Sequence, residues 1–434
     1  MGRMIIARDA AFPVRFKILA LLFLVSLLTF LDRVNISVAG KYINEAYGFS
    51  PVHYGIIFSA FVAGYMLFQL PGGYLSDRFG PRAVLTGAIL WWSAFTVLTA
   101  LAGTLLTARR CGTFGSFILG RFLIGIGEGV AYPASSKVVS IWIPYRNRAL
   151  ANGILLSGIG AGSALTPPLI IWIISHWGWQ STFYICGTIG VGVALLWQGY
   201  ARNAPRDHPG VSAAELEAIG DPPEKRASLA DVALIVKDRG MLFLSASYFV
   251  FGYIIYIYYS WFFLYLVNVK HIEIAKGSIL ATLPFLTMAL TAPLGGYLSD
   301  KLCNRMGFRG RKMLGVAGMA MVALTIALGS LARDLLTAVV LLSAGAGFLF
   351  LTVGSYWAGA TDLHPDKTGS ATGFMNTLAN AGGILSPTLT PLIAEKLGWD
   401  SALIFAAALA VIGALLWVGV RHEAVPHCNG TREL

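Results

Sequence analysis

The chain has 434 residues, of which 56% are apolar and only 12% are charged, with a formal net charge of +11. A soluble domain carries roughly twice that charged fraction, so an ordinary water-soluble core is excluded. The basic excess does not mark a nucleic-acid binder either, because of where it falls along the chain.

Windows of about 20 apolar residues, the length a helix needs to cross a bilayer, recur between short polar clusters. They predict spans at about 16–38, 52–77, 82–106, 114–139, 148–173 and 180–200. The fourth has the weakest start, because Gly112, Gly115 and Gly120 dilute its helical signal. The first carries Asp32 and Arg33 with no small-residue cleavage site after it, so it reads as a retained span and not a signal peptide.

From roughly 201 to 238 the composition changes. Arg202, Arg206, Asp207, Glu215, Glu217, Asp221, Glu224, Lys225 and Arg226 gather with Pro205, Pro209, Pro222 and Pro223. This is a polar linker, with a short surface helix predicted at Ala213–Ile219. A second set of spans follows at about 241–267, 275–300, 313–331, 335–361, 369–395 and 399–420. Pro284, Pro293, Pro387 and Pro391 mark breaks in them. The organisation is therefore an N-terminal bundle (1–200), a linker (201–238) and a C-terminal bundle (239–434).

With both termini taken as cytoplasmic, 23 of the 32 Lys and Arg lie on that side, seven outside and two within the membrane. That asymmetry is the positive-inside rule. Cys111, Cys186, Cys303 and Cys428 are scattered, so neither a disulfide framework nor a metal cluster is indicated. The glycosylation-type sequences at Asn35 and Asn429 fall in a span and in a cytoplasmic tail and are discounted.

The two sets of spans are related. GGYLSD occurs at Gly72–Asp77 and again at Gly295–Asp300, 223 residues on. Leu165-Thr166-Pro167 recurs as Leu389-Thr390-Pro391, and Gly178-Trp179 as Gly398-Trp399, at nearly the same offset. A duplicated six-span unit places a transporter's binding site between the halves, near mid-membrane.

Ionisable groups deep in a span are costly and usually functional. Four qualify: Asp32, Arg33, Arg121 and Glu128, two of each sign. Arg121 and Glu128 are two turns apart on one helix face, about 10 Å from one another, and are expected to line one cavity. Arg33 is expected to offer its planar fork to a substrate carboxylate, with Asp32 and Glu128 carrying an exchangeable proton. The alternative is a static buried network joining the first and fourth helices. GGYLSDRFGPR at Gly72–Arg82 joins the second and third spans. Asp77, Arg78 and Arg82, with Asp300, Lys301, Arg309, Arg311 and Lys312 in the copy, read as gate residues or as helix-end charges. Tyr253, Tyr256, Tyr258, Tyr259 and Trp261 either anchor the seventh span at the interface or stack on substrate. All seven histidines lie in loops or at span ends, which argues against a histidine proton relay. No phosphate loop, zinc spacing or nucleophile elbow occurs, so no cofactor is expected, and neither an ATP-driven pump nor a membrane enzyme.

Across essentially its whole length the chain resembles the major facilitator superfamily. GGYLSDRFGPR is similar to that superfamily's loop 2–3 signature, and Gly120-Arg121 through Gly125-Ile126-Gly127 to its fourth-helix arginine motif. Leu31-Asp32-Arg33-Val34-Asn35, Ser59-Ala60-Phe61 with Tyr65, and Gln69-Leu70-Pro71-Gly72-Gly73 resemble the anion:cation symporters of bacterial hexuronate, galactonate and glucarate. So do Arg121 with Glu128, Ala213-Glu215-Leu216, and Trp261-Phe262 with Tyr265-Leu266. The resemblance implies an all-α integral membrane protein of twelve transmembrane helices in two six-helix bundles, working by alternating access. It implies proton-coupled import of a small organic anion, a sugar acid first, in the bacterial inner membrane; an uncoupled carrier or exchanger and a non-transporting membrane sensor are the alternatives, and a monomer is expected. Asp32 and Glu128 match the family's proton-coupling carboxylates, and Arg33 and Arg121 its coupling and anion-binding arginines. Tyr65, Trp357 and Asn376 fall where sugar-acid members contact substrate. Ile159 and Phe30 depart from that pattern, replacing a glutamine and a tyrosine. Both changes remove hydrogen-bonding capacity, which opens the way to a less hydroxylated carboxylate such as a tartrate- or phthalate-like anion.

Overall fold

The computed structural model describes residues 13–49, 51–102, 106–220, 229–262, 265–266 and 274–421, and all regular structure among them is helical. The first half holds α1 (Val14–Tyr47), α2 (Pro51–Phe79), α3 (Pro81–Ala100), α4 (Leu106–Trp142), α5 (Arg148–Trp177) and α6 (Trp179–Tyr200). Two short helices follow, α7 (Ala213–Ile219) and α8 (Leu229–Lys237). The second half holds α9 (Arg239–Ser260), α10 (Ile274–Ala281), α11 (Leu283–Met306), α12 (Phe308–Leu331), α13 (Leu335–Leu363), α14 (Thr368–Leu397) and α15 (Trp399–Gly419). Of the sequence features named above, Asp221–Arg226, Cys428, Asn429 and three of the seven histidines lie outside the described residues.

Eleven of the described helices are long and apolar enough to cross a membrane. The 30-residue α14 completes the twelve. Its lower apolarity comes from Gly, Ser, Thr and Asn along Thr368–Asn380, most of them buried against neighbouring helices. The fourth span starts earlier than the sequence suggests: α4 begins at Leu106 and is broken at Gly112, whose φ of 71° only glycine adopts without strain.

The two halves pack alike. α1 lies against α5 as α9 lies against α14, and α2 against α4 as α11 against α13. α3 packs on α4 and α6 as α12 packs on α13 and α15. Between the halves α2 meets α14 and α5 meets α11, again a matched pair.

These cross-half contacts tighten at the end where the linker lies. A methyl group on Gly73 would collide with the Gly369 carbonyl, and one on Gly296 with the Ala149 carbonyl. Glycine is what lets the backbones touch there. The linker is held at the same end. Ser212 caps α7 by accepting from Glu215 N at 3.1 Å, and the Glu215 carboxylate accepts from Val14 N (3.1 Å) and Arg15 N (2.9 Å) at the start of α1. His208 packs against Tyr200 and Trp142. Burial and the nearby Arg202 guanidinium hold its imidazole below the usual range. On the other half, Asp231 of α8 pairs with Lys367 at 2.7 Å.

Candidate functional site: a central cavity and a sealed end

An open cavity lies between the halves. The first half contributes Phe30 and Arg33 (α1), Tyr65 (α2), Tyr132 (α4) and Ile159 (α5). The second half faces it with Tyr248, Tyr256 and Tyr259 (α9), Trp357 (α13), and Asn376 and Asn380 (α14), among others. Arg33, Tyr65, Trp357 and Asn376 thus come together on one wall system, as do the two departures, Phe30 and Ile159.

Arg33 is the cationic residue of that lining. Its Nε donates to Glu128 Oε2 at 2.8 Å. Its guanidinium lies over the rings of Tyr65 (4.2 Å), Phe30 (4.9 Å) and Phe61 (5.1 Å). One face of the fork is therefore fixed by rings and one edge by a carboxylate, a geometry suited to presenting the remaining N–H groups.

The other three deep charges do not line the cavity, contrary to the expected common hollow. Asp32 and Arg121 are 2% exposed and Glu128 is fully buried. They sit behind Arg33, inside the first half. Arg121 stacks on the far aromatic, with its guanidinium 4.5 Å from the Phe61 ring. The reason is rotational: Asp32 lies ~100° round α1 from Arg33 and so turns away when Arg33 faces the middle. Both Asp32 carboxylate oxygens, Glu128 Oε1 and Arg121 Nε have no hydrogen-bond partner among the described residues.

The tyrosines of α9 divide their work. Tyr256 and Tyr259 face the cavity. Tyr253 bonds Thr390 Oγ1 at 3.0 Å and Tyr258 donates to the Leu342 carbonyl at 2.7 Å, both buried inside the second half. Interfacial anchoring does not describe these four. Trp261 packs instead on Trp399.

At the linker end the repeated hexapeptide does the same thing twice. Asp77 accepts from Gly369 N (3.1 Å), Ser370 N (2.7 Å) and Ser370 Oγ (2.8 Å), capping the start of α14 in the opposite half. Asp300 accepts from Ala149 N (3.1 Å) and Leu150 N (2.7 Å), capping the start of α5 in the first half. A carboxylate on a helix N-terminus satisfies orphan N–H groups and meets the positive end of the dipole.

Each cap has its own counter-charge. Lys137 Nζ stands 3.2 Å from Asp77 and donates to the Asp366 carbonyl. Arg311 bridges Asp300 and Asp362, both at 2.7 Å. Tyr145, from the first half, donates to Asp362 at 3.2 Å.

Three expected gate residues do not reach across. Arg78 donates to Tyr74 OH, one turn back on its own exposed helix face. Arg82 bonds the Gln198 carbonyl of α6 within the first half, and Lys301 lies over the Tyr297 ring. Arg78 and Lys301 each follow the aspartate by one residue around its helix and so turn outward, while Arg82 already belongs to the next helix, α3. Lys137, Tyr145 and Asp362 went unnoticed in the sequence, where each looks like an ordinary span-end polar residue.

Two halves of membrane-length helices around a central aromatic cavity, joined closely at the linker end, form the architecture of a membrane carrier. The major facilitator superfamily model matches residues 22–387 and 279–433. A probable sulfoacetate transporter, SauU, of Cupriavidus necator is 32% identical over 92% of this chain and 92% of its own. The hexuronate transporter of Bacillus subtilis is 30% identical, covering 92% and 93%. Among solved structures, FucP in the outward conformation superposes with a TM-score of 0.74 at 14% identity, over 94% of this chain and 100% of that one. The chain belongs to the major facilitator superfamily, in its anion:cation symporter family.

Proposed function

We propose that the chain imports a small organic anion across a bacterial inner membrane by proton-coupled symport, as a monomer with both termini cytoplasmic. The observation that carries this reading is the Arg33–Glu128 pair at the cavity wall, 2.8 Å apart. A substrate carboxylate entering the cavity competes with Glu128 for the guanidinium. Once Arg33 turns to the substrate, Glu128 is left buried without its counter-charge, a costly state, and a proton on the carboxylate relieves it. Asp32, buried and unpartnered behind the pair, is the second proton carrier, and Arg121 balances the cluster. Tyr65, Trp357 and Asn376 shape the rest of the pocket.

Alternation follows by rocking the halves about this centre. Asp77 and Asp300 hold the linker end shut, and its opening on the cytoplasmic side releases the anion and the proton together.

The finer identity of the anion divides the support. The named hexuronate relative favours a sugar acid, while the apolar Phe30 and Ile159 on the cavity wall favour a less hydroxylated acid.

The test is Glu128→Gln in proteoliposomes, with anion binding and pH-gradient-driven accumulation measured separately. Binding is expected to persist, because a neutral side chain mimics the protonated state, while accumulation against a gradient drops at least tenfold. Full accumulation by the variant rejects the coupling.

A further inference from the structure

We propose that the cavity takes a monoanionic acid with a flat, largely apolar body, an aromatic ring acid of the benzoate or phenylacetate kind, in preference to a polyhydroxylated acid or a dianion. This rests on the anion-carrier reading above and narrows it.

The first argument is charge. Arg33 is the cation among the lining residues, and Arg121 is 2% exposed behind the Phe61 ring. Among the described residues, no Lys, Arg or His of the second half lines the cavity. One carboxylate is therefore met, and a second would be desolvated against rings and amides with no counter-charge.

The second is how few hydrogen-bonding groups remain free. Trp357 Nε1 already donates to Tyr248 OH at 2.8 Å. Asn376 Nδ2 donates to Gln69 Oε1 at 2.9 Å, and Asn380 Nδ2 to the Asn376 carbonyl at 2.8 Å. Tyr256 OH is turned to Asn380 Oδ1 at 3.4 Å, and Tyr132 OH lies against Ser26 and Thr29. A sugar acid needs partners for several hydroxyls at once. Tyr65 OH, Tyr259 OH and Asn376 Oδ1 are left to meet them, and every hydroxyl beyond those must break an internal bond or go unpaired.

The third is the shape of the walls. Half of the eighteen lining residues are aromatic. Tyr259 stands 6.3 Å from Phe30 across the halves and is backed by Phe285 in a parallel stack at 5.7 Å. Arg33 itself is stacked 4.2 Å over Tyr65. A planar ring bearing one carboxylate matches an arginine fork flanked by aromatic faces.

The experiment is competition binding to the purified full-length protein, using radiolabelled benzoate displaced by benzoate, phenylacetate, cyclohexanecarboxylate, glucuronate and phthalate, with the thermal stabilisation given by each of the five measured alongside. Benzoate or phenylacetate is expected to bind at least tenfold tighter than glucuronate and phthalate, with cyclohexanecarboxylate between. The paired change Phe30→Tyr with Ile159→Gln, which adds hydrogen-bonding groups, is expected to narrow the gap to glucuronate at least threefold. Tighter thermal stabilisation by glucuronate or phthalate than by benzoate overturns the proposal and leaves the anion-carrier reading standing. No stabilisation by any of the five sinks both.

Discussion

The two halves share a packing plan and a repeated hexapeptide, yet they differ in what they bury. The first half encloses Asp32, Arg33, Arg121 and Glu128 at depth; the second places at the matching level tyrosines, a tryptophan and asparagines. Counted by the 223-residue register of GGYLSD, Arg33 is answered by Tyr256 and Glu128 by Leu351. At the linker end the halves stay alike, Asp77 and Asp300 each capping a helix of the other. Duplication has been kept where the halves lock together and abandoned where they hold the cargo. In the proposed mechanism one half reads charge and the other supplies shape.

The comparison breaks most sharply at Arg33. Arg33→Ala removes the cavity's cation and strands Glu128, a loss of about 3–5 kcal/mol for a broken buried pair. Uptake measured with labelled anion is expected to fall by two to three orders of magnitude. Arg33→Lys keeps the charge but not the planar fork or its stack on Tyr65, and is expected to recover only a small part. Full recovery by lysine means a point charge suffices and the ring cage has no role.

The matched caps sharpen it next. Asp77→Asn and Asp300→Asn each weaken charge-assisted bonds to two backbone N–H groups, worth about 1–3 kcal/mol. Each is expected to shift the equilibrium toward an open linker end by a similar amount, about tenfold. Distances between spin labels on the two halves at that end report it. A large shift from one aspartate alone means the halves do not share the lock. The Arg311–Asp362–Tyr145 cluster, which Asp77 lacks, is where such an imbalance would arise.

The sequence revealed most of the fold because each span is an apolar run of nearly fixed length and the duplication is written in identical words. The cavity was only half legible. Arg33 stood out because a charge in a span is conspicuous, but Asp32, its neighbour, looks the same on paper and faces away from the cavity. Which of two adjacent charges meets the cavity depends on the rotation of α1, and that is set by its packing on α5. The lock was misread for a related reason. Arg78, Arg82 and Lys301 are as charged as Asp77 and Asp300, yet only the aspartates point at a helix N-terminus. That N-terminus belongs to the other half, some 290 residues away for Asp77 and 150 for Asp300.

The smallest expected effects concern the linker, and they test whether it belongs to the lock. Its two pieces are held differently. Glu215 is buried and bonds two backbone N–H groups at the start of α1, whereas Asp231 and Lys367 meet with side chains about a fifth exposed. Glu215→Gln retains one acceptor but loses the charge at a helix N-terminus, for a cost of about 1 kcal/mol read as a lower unfolding midpoint. Asp231→Asn removes a partly solvated ion pair worth less than about 1 kcal/mol, and uptake is expected to change by less than twofold. Lys367 sits one residue before α14, next to the helix start that Asp77 caps and the Asp366 carbonyl that Lys137 reaches. A severalfold change from Asp231→Asn would therefore mean that the linker reports on the cap, and that the symmetric pair of aspartates is not the whole closure.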